Sequence, residues 1–395
     1  MGVVAIFTTA EAMTFGGNYR VLKVLQLLPR NDYILLMPKD RLNALRASVE
    51  KFAEGEELTA FLEVVNNAYE LKPIGKPSGP GYVKYAEYVA KTAKELGAEL
   101  VYYPHEISTY IHFGLHRSGM RWTALLQLTP IVGSLVVEEG RGFPLFYRNF
   151  KEIYRNASIA SVLKSYARFM LFKYATRGVK LASVSASIPY ELEKLGVKRD
   201  IVVLRPGVGV GPCPHAVNKS RDIDVIYFAR LTPGKGVFDF LEVVKTLRGR
   251  GINAKIAMMG AGAGEVVERV KAVAQDLGID LYLNVKRGEI KAVLSRAKVM
   301  VYPSRMDAFP LSVLEALSCG VVVAAYNIPA IRFNYNTPAV SKVAVGDIVA
   351  LSKAAAEILQ TEAYEELRKE ALAFAGSFTW EAVAKAEWNY LKSLE

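Results

Sequence analysis

The run VMVYPSRMDAFPLSVLEALSCGVVVAAY, residues 299–326, limits what this chain can fold into more than any other stretch. An apolar, β-branched segment at 299–302 meets a breaker, Pro303, and then a short polar loop. After Pro310, Leu311, Leu314 and Leu317 recur about a turn apart until Gly320, and a second apolar run fills 321–325. The pattern predicts strand, loop, helix and strand in a parallel sheet. Such a loop lies outside the carboxyl ends of the strands, where open α/β sheets hold ligands. Asp307 stands in the loop and Glu315 in the helix. Between them the helix N-terminus offers unpaired N–H groups and the positive end of its dipole to an anion. A phosphorylated ligand with hydroxyls at both ends suits that arrangement.

The alternation runs the length of the chain. In the first half, strands are expected at 3–8, 33–37, 99–103, 123–128, 180–185 and 201–204. Helices are expected from Tyr19 to Leu28, over 85–96 and over 188–195, with a basic helical stretch through 146–180. Residues 205–222, RPGVGVGPCPHAVNKSRD, are rich in Gly and Pro and lack a hydrophobic period, which marks a linker. Beyond it, strands at 225–229, 255–259 and 280–284 alternate with helices at 238–248, 265–277 and 290–297. Two doubly wound α/β domains facing each other are predicted, residues 1–205 and 206–379.

Composition narrows the partners. With 395 residues, 51% of them hydrophobic, the chain can bury two cores. No apolar stretch reaches a transmembrane length, and the N-terminus is read as lacking a signal peptide. Cys213 and Cys319 have neither a metal-ligand spacing nor the density of a disulfide scaffold, so a reducing cytoplasm is expected. The net charge of +11 favours an anionic partner. Nucleic acid is set aside, because no recognisable module or aromatic strand platform accompanies the charge.

Further motifs sit at strand ends. Arg230 and Lys235 flank a turn after the first strand of the second half, and two cations there can clamp a diphosphate. The run MGAGAG, with Gly260 at its head, lacks dinucleotide-fingerprint spacing but lets backbone approach a ligand. Gly16 and Gly17 offer the same at the first helix. His105, beside Glu106, ends the strand at 99–103. In residues 146–155, Phe146, Tyr147, Phe150, Ile153 and Tyr154 share one helical face, and Arg148, Lys151 and Arg155 the opposite one. Such a helix suits an anionic membrane surface or covers the first domain's core.

Together these residues resemble the retaining GT-B glycosyltransferases of the large glycosyltransferase family four. The likeness takes in the Gly16-Gly17 loop, SVSASIPYELEKLGV, VVLRPGVGV, FARLTPGKG, MGAGAG, YPSRMDAFPLSVLEALSCGVVV and FTWEAVAKAEWNYLKSLE. It implies a GT-B fold, two facing Rossmann-like domains with a cleft between them, and a closing helix at 380–395 that crosses back to the first. It also implies transfer of a sugar from a nucleotide-sugar donor to a hydroxyl acceptor, for which the basic aromatic helix at 146–155 suggests a lipid-linked glycan or a membrane lipid. By resemblance Asp307 holds the donor sugar's hydroxyls, and with His105 it is the candidate catalytic residue. Glu315 takes the ribose and Arg230 and Lys235 the diphosphate. Gly16, Gly17, Gly260, Phe309 and Leu311 complete the donor contacts. No metal or cofactor is expected, since two cations and a helix dipole take that place. With the cysteine usage, the expected location is the cytoplasm, peripheral on its membrane face if the helix at 146–155 meets lipid. Three positions depart from the family: Asp307 is usually Glu, Gly-Val-Gly replaces Gly-Val-Asp in the linker, and Gln127 or Leu128 stands where a His is frequent. The alternative is a nucleotide-sugar-binding partner subunit with weak catalysis.

Overall fold

The computed structural model describes residues 3–13, 16–76, 78–105, 108–154, 157–214 and 221–394. Glu106, Arg155 and residues 215–220 of the linker, named above, lie outside them. The chain forms two compact units: Met1–Gly133, Val137–Gly209 and Trp380–Glu395 in the first, Ser134–Val136 and Val210–Thr379 in the second.

Unit 1 is built on a parallel sheet of seven strands: β1 (Val3–Phe7), β2 (Tyr33–Pro38), β3 (Tyr69–Leu71), β4 (Ala98–Tyr103), β5 (Trp122–Leu126), β6 (Leu181–Ser183) and β7 (Ile201–Val203). Their order is β3-β2-β1-β4-β5-β6-β7, a doubly wound arrangement. The central strands are mostly apolar because helices cover both faces; every residue of β5 is buried. β3 was not foreseen. It is a three-residue edge strand, YEL, with two exposed positions, too short for a period to show.

The stretch 146–180 resolves into two helices, Gly142–Ile153 and Ile159–Ala175, the second capped by the Ser158 side chain, which accepts from Ser161 N. Phe146 and Phe150 are buried, with Phe146 against Phe169 and Tyr166 at 5.6 and 5.1 Å. Of the two readings of residues 146–155, the burial of Phe146 and Phe150 favours the helix that covers the first domain's core. Among the described residues, no helix is long and apolar enough to cross a membrane.

The closing helix, Trp380–Lys392, is part of unit 1. Glu387, 2% exposed, accepts from Arg20 Nη2 at 2.6 Å and from Tyr102 Oη at 2.7 Å, while Arg20 Nε donates to Gly207 O at 2.7 Å. A buried charge is tolerated only when paired and hydrogen-bonded, and here each ion has both.

Unit 2 has six parallel strands: β8 (Ile223–Phe228), β9 (Ile256–Gly260), β10 (Asp280–Leu283), β11 (Ala297–Tyr302), β12 (Val322–Tyr326) and β13 (Val340–Val343). The order is β10-β9-β8-β11-β12-β13. Residues 299–326 form β11, a loop, the helix Leu311–Ser318 and β12, as the pattern predicts. A disulfide joins Cys213 to Cys319, with Cα atoms 5.2 Å apart across 106 positions of sequence. Two cysteines alone make no disulfide scaffold, and this bond was not foreseen from them. Sequence spacing gives no sign of it, because folding brings the linker beside the C-terminal end of the helix Leu311–Ser318.

Candidate functional site

In unit 2 the elements converge at the carboxyl ends of β8 and β11. The turn Pro233–Lys235 after β8 ends at Gly236, which has φ 72°. A Cβ there would meet Pro303 O at 1.9 Å, so only glycine lets this turn lie on the residue that follows β11. That contact delivers Lys235 to Asp307. Lys235 Nζ donates to Asp307 Oδ2 at 2.5 Å and to Met306 O at 2.8 Å. Tyr302 Oη donates to the same carboxylate oxygen at 2.6 Å, and Ala308 N to the other at 3.0 Å. Burial, then the nearby Asp307 carboxylate, pushes the Tyr302 phenol well above its ordinary range, so it stays a donor.

The loop before the helix Leu311–Ser318 is held from beneath. Asn334 Nδ2 donates to Ala308 O at 2.8 Å and Tyr335 Oη to Pro310 O at 2.7 Å. The residue before the helix is Pro310, and no side chain caps the first turn through it. Those N–H groups are among the orphans every helix start leaves. Glu315, on the same helix, is 4% exposed and ion-paired with Arg287, the first residue of the helix Arg287–Leu294.

Gly260 closes β9, and a Cβ on it would meet Ala229 O at 2.1 Å, which seats the glycine run directly on the backbone before Arg230. Arg230 itself is exposed. Phe309 packs its ring against Tyr335 and Phe378, at 5.5 and 5.8 Å, so that side chain serves the core. Leu311 opens the helix and is partly buried.

Lys235, Asp307, Glu315, Arg230 and Gly260 thus all lie in unit 2. Sequence reasoning missed Tyr302, the Asp239–Arg305 pair at 3.0 Å that fastens the helix Val237–Gly249 to this loop, and Arg287. Tyr302 ends a strand already assigned; only its neighbourhood to Asp307 was open to inference.

Gly16, Gly17, His105 and Gln127 belong to unit 1. Gly16 opens the helix Gly16–Leu27, and a Cβ there would meet nothing within 4 Å. The glycine that matters is Gly17, where a Cβ would lie 2.7 Å from Gln127 Oε1. Gln127 directly follows β5 and donates from Nε2 to Pro104 O at 2.7 Å.

His105 is 2% exposed and shares a hydrogen bond with Thr8 Oγ1 at 2.6 Å. His105 thus stands just past the carboxyl end of β4, as expected, with its ring buried. Burial, with Arg20 and His112 nearby, pushes its pKa down to about 3, and burial pushes that of His112 to about 4. Both imidazoles are neutral in the fold. Each accepts a proton near pH 6.5 once unfolded, so the unfolded state binds more protons as pH falls below that value. Stability is fully present above about pH 6.5 and is expected to fall by about 1.4 kcal/mol per pH unit per histidine toward pH 4. Denaturant titrations at pH 7 and pH 5 should show this loss, and His105→Gln should reduce the pH dependence by about one proton.

Residues 215–373 match the model of the family described as Glycosyl transferases group 1. The glycogen synthase of Mycobacterium tuberculosis is 26% identical over 216 residues, which cover 52% of this chain and 52% of that protein. The putative colanic acid biosynthesis glycosyltransferase WcaL of Escherichia coli is 26% identical over 162 residues, 38% of this chain and 39% of its own. The chain therefore spans about half the length of the curated relatives it matches, or less. Among solved structures, sucrose-phosphate synthase of Thermosynechococcus elongatus superposes with a TM-score of 0.72 at 17% identity, over 100% of this chain and 99% of that one. Anabaena HepE, solved in complex with UDP-glucose, gives 0.67 at 14% identity over 100% of both chains. These likenesses define the fold: two Rossmann-like units, the GT-B architecture.

Proposed function

We propose that this protein is a glycosyltransferase that moves a sugar from a nucleotide-sugar donor to a hydroxyl acceptor with retention of configuration. The observation that carries the reading is the Lys235–Asp307 pair at the carboxyl ends of β8 and β11, beside the start of the helix that buries Glu315. It lies inside the stretch that matches the glycosyl transferases model. The UDP-glucose complex of the similar HepE supports a nucleotide-sugar donor. The likeness to WcaL, named for colanic acid biosynthesis, supports a glycan or lipid-linked glycan as acceptor.

In this reading the donor diphosphate lies against the first turn of the helix Leu311–Ser318, with Arg230 and Lys235 neutralising it. Lys235 then divides its donors between phosphate and Asp307. The Asp307 carboxylate, held by Tyr302, accepts from sugar hydroxyls, and Glu315 accepts from the ribose. His105, buried and bonded to Thr8, is no proton acceptor for the acceptor hydroxyl. The donor's own phosphate takes that proton on the face it leaves.

Glu315→Gln should weaken binding of both the intact donor and the free nucleoside diphosphate. Asp307→Asn should weaken the intact donor and spare the free diphosphate. Calorimetry with UDP-glucose and UDP checks the pair, starting from the donor of the similar structure. Equal effects of both variants on UDP would show the two ends of the site to be wrongly assigned.

A further inference from the structure

The helix Ile159–Ala175 carries an apolar surface that stands largely exposed. Ile159, Leu163, Met170 and Tyr174 are 65%, 54%, 41% and 54% exposed. At about 100° per residue these four and Ala167 fall within about a quarter-turn of the helix circumference. Val162, Phe169 and Phe172 are buried on the other side, so the helix has its own core face and a second apolar face toward solvent. Tyr147 and Tyr154, 37% and 45% exposed, extend the patch from the preceding helix. Six of the ten exposed large apolar side chains among the described residues thus lie in residues 147–174. Concentration of this kind marks an interaction surface, because monomers scatter such residues singly.

The charges select the occupant. Lys164 borders the stripe on one side and Lys173 on the other, with Arg168 a turn beyond Lys164 and the exposed Arg177 just past the helix end. Arg168 keeps its guanidinium 5.7 Å over the Tyr110 ring, and Lys173 Nζ reaches Gly196 O at 2.9 Å. From Glu152 to Glu191 the sequence has six Lys or Arg and no intervening Asp or Glu. A protein partner's groove or a second copy would have to meet this cationic border with carboxylates, and the matching face of a second copy has none. Long cationic side chains on both sides of an apolar stripe are what an anionic lipid surface fits: the apolar groups enter the acyl boundary while the cations reach the headgroups.

We infer that the helix Ile159–Ala175 is an interfacial element that seats the protein on an anionic membrane surface. The inference is independent of the donor site, which lies in unit 2. The test is sedimentation of the full chain with vesicles of phosphatidylcholine alone, or of phosphatidylcholine and phosphatidylglycerol in equal parts, at low and high salt. The chain is expected to sediment with the anionic vesicles, and high salt should release a part, because screening shortens the reach of the cations. Leu163→Glu with Met170→Glu should weaken partitioning at least tenfold, while the melting curve and nucleotide binding stay unchanged. A second variant, Lys164→Glu with Arg177→Glu, should abolish the preference for anionic lipid. Both variants alter exposed side chains and leave the core intact. Failure of the wild-type chain to sediment, or wild-type sedimentation of both variants, overturns the inference. So does a dimer in sedimentation velocity that the first variant converts to monomer, which would assign the stripe to a second copy. None of these outcomes touches nucleotide binding, which tests the donor site separately.

Discussion

Glu387→Ala is expected to destabilise unit 1 by about 3–5 kcal/mol, the range for removing one partner of a buried ion pair. Arg20 is 1% exposed and would keep Gly207 O as an acceptor while losing its counter-ion. Its Nη1 has no partner in the fold to begin with, so nothing nearby can take up the loss. Tyr102 would lose its acceptor at the same time. Trp122, Trp380 and Trp388 are the chain's three tryptophans, and all lie in unit 1, so tryptophan fluorescence during guanidinium unfolding reports this unit alone. Arg20→Met combined with Glu387→Leu should recover more than half of the loss, because an apolar pair carries no desolvation penalty. A shift below about 1 kcal/mol for Glu387→Ala would mean that water reaches Arg20.

Lys235→Ala should weaken binding of UDP-glucose by roughly tenfold or more, since a hydrogen bond to a charged group contributes about 1.5–3 kcal/mol. Two effects combine. The diphosphate loses one of its two cations, and Asp307, with a side chain only 16% exposed, keeps Tyr302 as its remaining side-chain donor. Two anions, the donor diphosphate and the Asp307 carboxylate, would then face one another with Arg230 as the remaining cation of the proposed clamp. Lys235→Arg should restore only part of the affinity, because a planar guanidinium does not reproduce a point charge seated between Asp307 and the Met306 carbonyl. Calorimetry measures both; unchanged affinity in Lys235→Ala would remove this residue from the donor site.

Parallel strands covered on both faces announce themselves as unbroken apolar runs, which is why β1, β2, β4, β5 and the β11 to β12 unit could be placed from residue types alone. The helix Lys39–Phe52 lacks such a signal. Its mean composition is polar, and only Leu42, Leu45 and Val49 are buried. The 146–155 stretch shows a second limit. Periodicity revealed an apolar face but not what that face meets, and it met Phe169. On the next helix the cations point two ways because an exposed apolar stripe lies between them, which only burial could reveal. In the candidate site, Lys235, Asp307 and Glu315 were legible because strand ends place ligands. Their mutual bonding, the Tyr302 hydroxyl and the Arg287 pairing are choices of partner made by the tertiary fold.

The Cys213–Cys319 link has a topological meaning. It turns the chain from the end of the linker to the last turn of the Glu315 helix into a covalent ring, with β8, β9, β10 and β11 strung along it. Closing a ring of about a hundred residues removes roughly 4–5 kcal/mol of conformational freedom from the denatured ensemble. A single peptide-bond cut anywhere on that ring leaves the two fragments tethered. On a gel the nicked protein therefore migrates as one species until a reductant is added, and it separates into two afterwards.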